Sequence, residues 1–178
     1  MDKRRVVKEV LSWVKTLVIA FVLAFTINNT LVANAWVISS SMENTIMTES
    51  RVMGSRVAYV LREPQRFDII LFQPPDNDAS IPYVKRIIGL PHERVKIING
   101  HVYINDSGVP LDEFFVRGDF WGNFGPFYVP ADSYFVLGDN RNNSHDSRHW
   151  INSFVPRDNI IGKLYFEFFP TPRLLGKR

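Results

Sequence analysis

The chain has 178 residues, a length that one domain of ordinary size fills, and its 46% hydrophobic and 13% aromatic content suits a packed core rather than disorder. Cysteine is absent, which excludes a disulfide framework, thiolate metal sites, iron–sulfur clusters and a cysteine nucleophile. The net charge of +3 sits wholly in residues 1–15 (Lys3, Arg4, Arg5, Lys8 and Lys15 against Asp2 and Glu9); the remaining 16 basic and 16 acidic residues balance, which argues against nucleic-acid binding by the body.

A basic tail in front of an apolar run points to a membrane. No charged residue occurs from Thr16 to Met42, and Leu17 to Phe25 is continuously apolar. A spanning helix needs about 20 mostly apolar residues. Residues 13–33 can supply one, with Asn28 and Asn29 near the far interface and Trp13 and Trp36 at the two ends. The positive-inside rule keeps residues 1–15 cytoplasmic, makes 16–35 the anchor and places 36–178 outside the cytoplasm. Ala33-Asn34-Ala35 is an A-x-A pattern, so a cleavable signal peptide is the alternative; the length of the apolar run favours a retained anchor. The same tripeptide raises self-cleavage as a further expectation.

After Trp36 short runs of β-branched and aromatic residues alternate with turn residues. Strands are expected at Phe67–Phe72, Tyr83–Ile88, Val95–Ile98, His101–Ile104, Ser133–Leu137 and Ile160–Phe166. Asn99-Gly100 between two of them is a strong two-residue hairpin signal. Asp76–Ser80 and Asp112–Phe127 read as loops or an inserted hairpin. No βαβ rhythm or phosphate loop occurs, so a mainly β, antiparallel body on a single N-terminal helix is expected.

Three segments can carry chemistry. Ser39-Ser40-Ser41-Met42 lies shortly after the apolar segment, although serine clusters are common loop filler. Lys85 interrupts an apolar strand on which Tyr83, Lys85 and Ile87 share one face and Val84, Arg86 and Ile88 the other. Exposure statistics favour a lysine that snorkels to the rim. A buried lysine would instead lose proton affinity and could act as base toward a serine. Arg86 cannot, because guanidinium keeps its proton. The third segment, Gly138 to Arg148, is dense in hydrogen-bonding groups; read blandly it is an ordered polar loop with Asp146 and Arg148 as a structural pair.

With these motifs in this order, the chain resembles bacterial type I signal peptidase, a membrane-bound serine protease. The resemblance rests on Ser39-Ser40-Ser41-Met42, Phe67 to Phe72, Tyr83-Val84-Lys85-Arg86-Ile87-Ile88-Gly89-Leu90-Pro91 and Gly138-Asp139-Asn140-Arg141. It implies Ser41 as nucleophile, Lys85 as general base, Ser144 as the hydroxyl orienting the lysine, and Ser39 with the Ser41 N–H as oxyanion hole. Asp139, Asp146 and Arg148 would support the site. Val37, Met42, Ile46, Tyr83 and Val84 would line shallow pockets for a signal peptide bound as an added strand, cleaved after Ala-x-Ala. Neither cofactor nor metal is implied; the lipid bilayer and the secretion translocon would be partners, at the plasma membrane.

The sequence departs from that pattern at four places. Ile38 and Asn44 stand where prolines are usual, Asn142 where Asp is frequent, and Ile151 where Gly is common. The rivals are weaker. A hydrolase using His145 with Asp139 or Asp146 lacks a Gly-x-Ser-x-Gly elbow. A metal hydrolase using His145 and His149 lacks the glutamate of His-Glu-x-x-His. A non-enzymatic anchored β-domain would more naturally have lost Ser41 or Lys85, and a self-cleaving repressor would carry a DNA-binding helix pair and no anchor.

Overall fold

The structure, a computed structural model, describes residues 3–76 and 81–176. Most of the expected Asp76–Ser80 loop therefore lies outside the described residues. The chain divides into two units, residues 1–32 and 33–178.

The first unit is a single helix, α1 (Lys3–Thr30). Its stretch Val7–Thr30 is long and apolar enough to cross a membrane, the most apolar 18-residue window within it having a mean hydropathy of 2.2. The hydroxyls of Thr16, Thr26 and Thr30 donate to carbonyls four residues back, at 3.0, 2.8 and 2.7 Å, so they add no unsatisfied donor to an apolar helix. The helix takes in the basic tail and ends at Thr30, five residues before the expected end of the apolar segment.

Beyond Thr30 the backbone turns to strand. β1 (Val32–Trp36) contains Ala33-Asn34-Ala35, and Ala33 is fully buried. That tripeptide is folded into a sheet with its first alanine in the core, which does not suit it to self-cleavage. The other strands are β2 (Arg51–Ser55), β3 (Ile69–Phe72), β4 (Tyr83–Gly89), β5 (Arg94–Ile98), β6 (His101–Ile104), β7 (Phe124–Tyr128), β8 (Ser133–Leu137), β9 (Val155–Pro156), β10 (Ile160–Phe169) and β11 (Arg173–Leu174). The larger sheet runs β1-β2-β10-β3-β4-β8-β9, with β11 on β10; β6-β5-β7 form a smaller one. The pairings from β2 to β9 are antiparallel. The body is mainly antiparallel β, with one apolar N-terminal helix.

The expected alternation is visible in the packing. On β3, Ile69 and Leu71 enter a core with Ala33, Val37, Met42, Ile46 and Val52. Ile70 and Phe72 enter a second core with Ile87, Tyr134 and Trp150. The hairpin forms at Asn99-Gly100, whose φ angles of 50° and 84° are those a tight two-residue turn demands. β1, β2, β7 and the two short strands carry no clear periodic signal. In β2, Gly54 sits where an added Cβ would lie 1.7 Å from the Lys163 carbonyl oxygen of β10, so close approach removed the side chain a strand pattern needs.

Candidate active site

Ser41 lies on a tight 3-10 turn, Ser40–Met42, at the head of a closed loop. Val37 N–H donates to Ser50 O (2.9 Å) and Glu49 N–H to Val37 O (2.7 Å), closing the base of that loop. Met42 and Ile46 plug into the first core with no exposed surface, and Ile46 N–H donates to Met42 O at 2.7 Å. Burial of these two apolar side chains fixes the turn and leaves Ser41 Oγ facing β4.

Lys85 does not snorkel. It is 4% exposed, and Nζ lies 2.6 Å from Ser41 Oγ and 3.3 Å from Val84 O. Ser39 Oγ is 3.1 Å from Ser41 Oγ. Burial pushes the Lys85 amine down to about 8, with Arg148 acting in the same direction and Asp146 and Asp139 opposing. The face alternation on β4 holds: Tyr83 and Ile87 pack in the second core, while Val84 packs on the first and Ile88 in a third.

The polar segment after β8 braces this pair. Both Asp139 oxygens accept from Arg86, Nε at 2.9 Å and Nη2 at 2.6 Å, and the Thr45 hydroxyl also donates to Asp139; Arg86 and Asp139 are almost wholly buried. Asn140 N–H donates to Ser41 O (3.1 Å), Asn140 Nδ2 to Ser40 O (3.1 Å), and Asn143 Nδ2 to Ser40 Oγ (2.6 Å). Asp146 accepts from Arg148 Nε and Nη2, both at 2.8 Å, and from Gly138 N–H at 3.0 Å. Burial acts to raise the Asp146 carboxyl, but Arg148, the Gly138 amide and the nearby Ser144 hydroxyl, which does not reach full hydrogen-bond geometry, outweigh it and hold it below the ordinary range. Ser144 Oγ is buried with no hydrogen-bond partner, beside Gly138. Gly138 touches the serine turn so closely that an added Cβ would lie 2.4 Å from Ser41 O.

A cleft of about 440 Å³ opens over the pair. Val37, Met42, Tyr83 and Val84 line it, together with Asn143 and His145 and with Ala35, Trp36, Ile38, Ile81 and Pro82, which the sequence did not assign to a pocket. Ile46 does not line it; it is core behind the cleft. β3 pairs with Tyr83–Arg86 on one side of β4, whereas β8 pairs only from Arg86 onward. Among the described residues, the other backbone edge of Tyr83–Lys85 carries no strand.

The rival constellations are not assembled. His145 stacks on His149 and meets Trp150 edge-on, while Asp139 and Asp146 are both held by arginines and His149 Nδ1 stays 3.9 Å from Asp146 Oδ1. No group of three or more metal-ligating side chains converges among the described residues. Two of the departures have structural reasons. Asn44 has φ of 86°, which proline cannot adopt, and Ile151 is 99% exposed without a positive φ, so no glycine is needed. Asn140, Asn143 and Arg86 act as braces that the motifs alone do not reveal; their place within otherwise recognised segments is the signal available.

The family model described as signal peptidase, peptidase S26, matches residues 10–169. The chain belongs to that family. Similar proteins include a probable signal peptidase I-2 of Synechocystis sp., 41% identical over 90% of this chain and 73% of that protein. A signal peptidase I P of Bacillus subtilis subsp. natto is 36% identical over 96% of both chains. A crystal structure of a signal peptidase I from Enterococcus faecalis V583 shares 36% identity, covering 57% of this chain and 97% of that one, with a TM-score of 0.46. This signal peptidase is a hydrolase, a serine protease of the signal peptidase I type.

Proposed function

We propose that this signal peptidase is a membrane-anchored enzyme that cleaves signal peptides from exported preproteins after Ala-x-Ala, with Ser41 as nucleophile and Lys85 as general base. The observation that carries the reading is the 2.6 Å contact between Lys85 Nζ and Ser41 Oγ, both side chains being buried. An amine with its midpoint near 8 is neutral in roughly a tenth of molecules at pH 7, against about one in 3,000 for an ordinary lysine. The neutral amine takes the Ser41 proton as Oγ attacks the scissile carbonyl. The oxyanion accepts from the Ser41 N–H and the Ser39 hydroxyl, a kind of donor whose loss typically costs about 10²–10³ in rate. Lys85 then protonates the leaving amine and deprotonates the water that releases the acyl group.

Ser144, whose hydroxyl makes no bond to Lys85 in the structure, is assigned to orienting the lysine amine once substrate is bound; Asp139, Asp146 and Arg148 hold the walls. The peptide adds a strand along the open edge of Tyr83–Lys85, and the apolar surfaces of Val37, Met42, Tyr83 and Val84 favour small side chains. The apolar part of α1, from residue 16 to Thr30, anchors the enzyme in the plasma membrane, with residues 1–15 cytoplasmic and the body from β1 onward outside, where the bilayer and the translocon bring substrates to the cleft. The test is cleavage of a membrane-inserted precursor by the full-length enzyme. Ser41→Ala and Lys85→Ala abolish it while the circular dichroism spectrum persists; substantial activity left in Lys85→Ala overturns the assignment.

A further inference from the structure

We infer that Glu113 is a positioning residue for the peptidase reaction, acting through Arg141 on the serine turn, with the β6–β7 connection as the strap that carries it. The inference rests on the assignment of Ser41 and Lys85 as the reacting pair. Glu113 is not part of the cleft lining, yet it meets Arg141 as a two-pronged pair: Nη1 donates to Oε2 at 3.1 Å and Nη2 donates to Oε1, with side-chain exposures of 2% for the arginine and 10% for the glutamate. Arg141 Nε in turn donates to Gly138 O at 3.1 Å. Arg141 therefore ties the strap to the glycine that abuts Ser41 O, and it sits in the short turn flanked by Asn140 and Asn143, the two residues that bond the backbone and side chain of Ser40 and the Ser41 carbonyl.

The same connection touches the site at three more points. The Phe115 ring lies 4.0 Å from the Arg86 guanidinium carbon, behind the Asp139 pair. The Phe120 ring lies 4.9 Å from that of Arg148, behind the Asp146 pair. The Asp119 carbonyl accepts from Asn142 Nδ2 at 3.0 Å. That last contact explains why an amide at position 142 suits this chain, since a carboxylate cannot donate to a carbonyl. One segment thus backs all three buried arginines of the site.

Removing the Glu113 charge leaves Arg141 buried without its counter-ion, a state it escapes only by moving. Its bond to Gly138 O and the turn bearing Asn140 and Asn143 would move with it. A misplacement of about 1 Å at the reacting atoms costs about 100-fold in rate. Neither Glu113 nor Arg141 lines the cleft, and of the residues on the displaced turn only Asn143 does, so the loss falls mainly on kcat rather than on peptide binding.

The test uses full-length enzyme in detergent micelles and a peptide spanning an Ala-x-Ala site, with active serines counted by exhaustive reaction with a serine-directed acylating probe. For Glu113→Gln we expect kcat per active serine to fall about 100-fold with KM within about twofold of wild type, and Glu113→Asp to recover part of the loss. The midpoint of the pH–rate limb should not move. Asn143→Ala lies downstream on the same path, so combining it with Glu113→Gln should cost much less than the product of the two single losses. A kcat per active serine within about threefold of wild type, or fully multiplicative losses, overturns the inference. Should Glu113→Gln fail to fold, Glu113→Asp and Asn142→Asp, which loosen the same strap at two points, are read by the same criteria. Activity surviving in Ser41→Ala overturns the reading of the site itself; a silent Ser41→Ala with unaffected Glu113 variants overturns only the role of Glu113.

Discussion

Replacing Lys85 by methionine should make the enzyme inactive and, at acid to neutral pH, more stable. The folded chain holds the Lys85 amine at about 8, against 10.5 for an ordinary lysine, chiefly because burial penalises the ammonium. At about 1.4 kcal/mol per unit, that shift is a cost to folding of about 3 kcal/mol wherever both states are protonated, which is below about pH 8. Between about pH 8 and 10.5 the unfolded chain binds more protons at this site than the folded one, so stability rises with pH there and the cost disappears above that window. Methionine removes the charge at similar length and loses the 2.6 Å hydrogen bond to Ser41, which contributes about 1 kcal/mol. Lys85→Met should therefore gain about 2 kcal/mol at pH 6 and close to nothing at pH 10. Urea unfolding of full-length protein in mild detergent, monitored by tryptophan fluorescence at the two pH values, measures it. Equal stabilities at pH 6, or a gain that does not shrink by pH 10, would refute the claim that Lys85 is held in the fold at the expense of stability.

The geometry of the site sets three other outcomes. Wild-type kcat/KM should climb about tenfold per pH unit and level off at a midpoint near 8; a midpoint near 6.5 would point to a histidine base instead. Gly138→Ala should fold yet lose about 100-fold in kcat, since its Cβ would press on Ser41 O at 2.4 Å and on Ser144 Oγ at 2.3 Å; peptide-cleavage kinetics near the wild-type value would sink that reasoning. Installing the proline usual in similar proteins, Asn44→Pro, should lower stability by about 1–3 kcal/mol because φ at position 44 is 86°; a rise in thermal midpoint would show that the loop readily adopts the other conformation.

The places where sequence reasoning falls short share a cause. Lysines are usually exposed, so the pattern around Lys85 favours the rim; its burial is imposed by β3 on one side and the serine turn above. Ile46 has the composition of a pocket residue but packs behind the pocket, because the loop from Val37 to Ser50 closes on itself and turns it inward. β7 hides within a stretch rich in Gly and aromatic residues, and its pairing with β5 arises from a contact between distant segments rather than from local periodicity.

The sequence by itself determined the apolar N-terminal segment, the Asn99-Gly100 hairpin, the alternating β4 strand and the three reactive motifs. Each of these depends on the period of the backbone or on residue identity at short range. Only the tertiary structure decided that Ser41 and Lys85, 44 positions apart, meet at 2.6 Å, that Arg86 neutralises Asp139 and that Glu113 reaches Arg141. Those decisions belong to strand order and burial: a charge becomes costly, and so chemically useful or in need of a partner, only once the sheet has removed it from water.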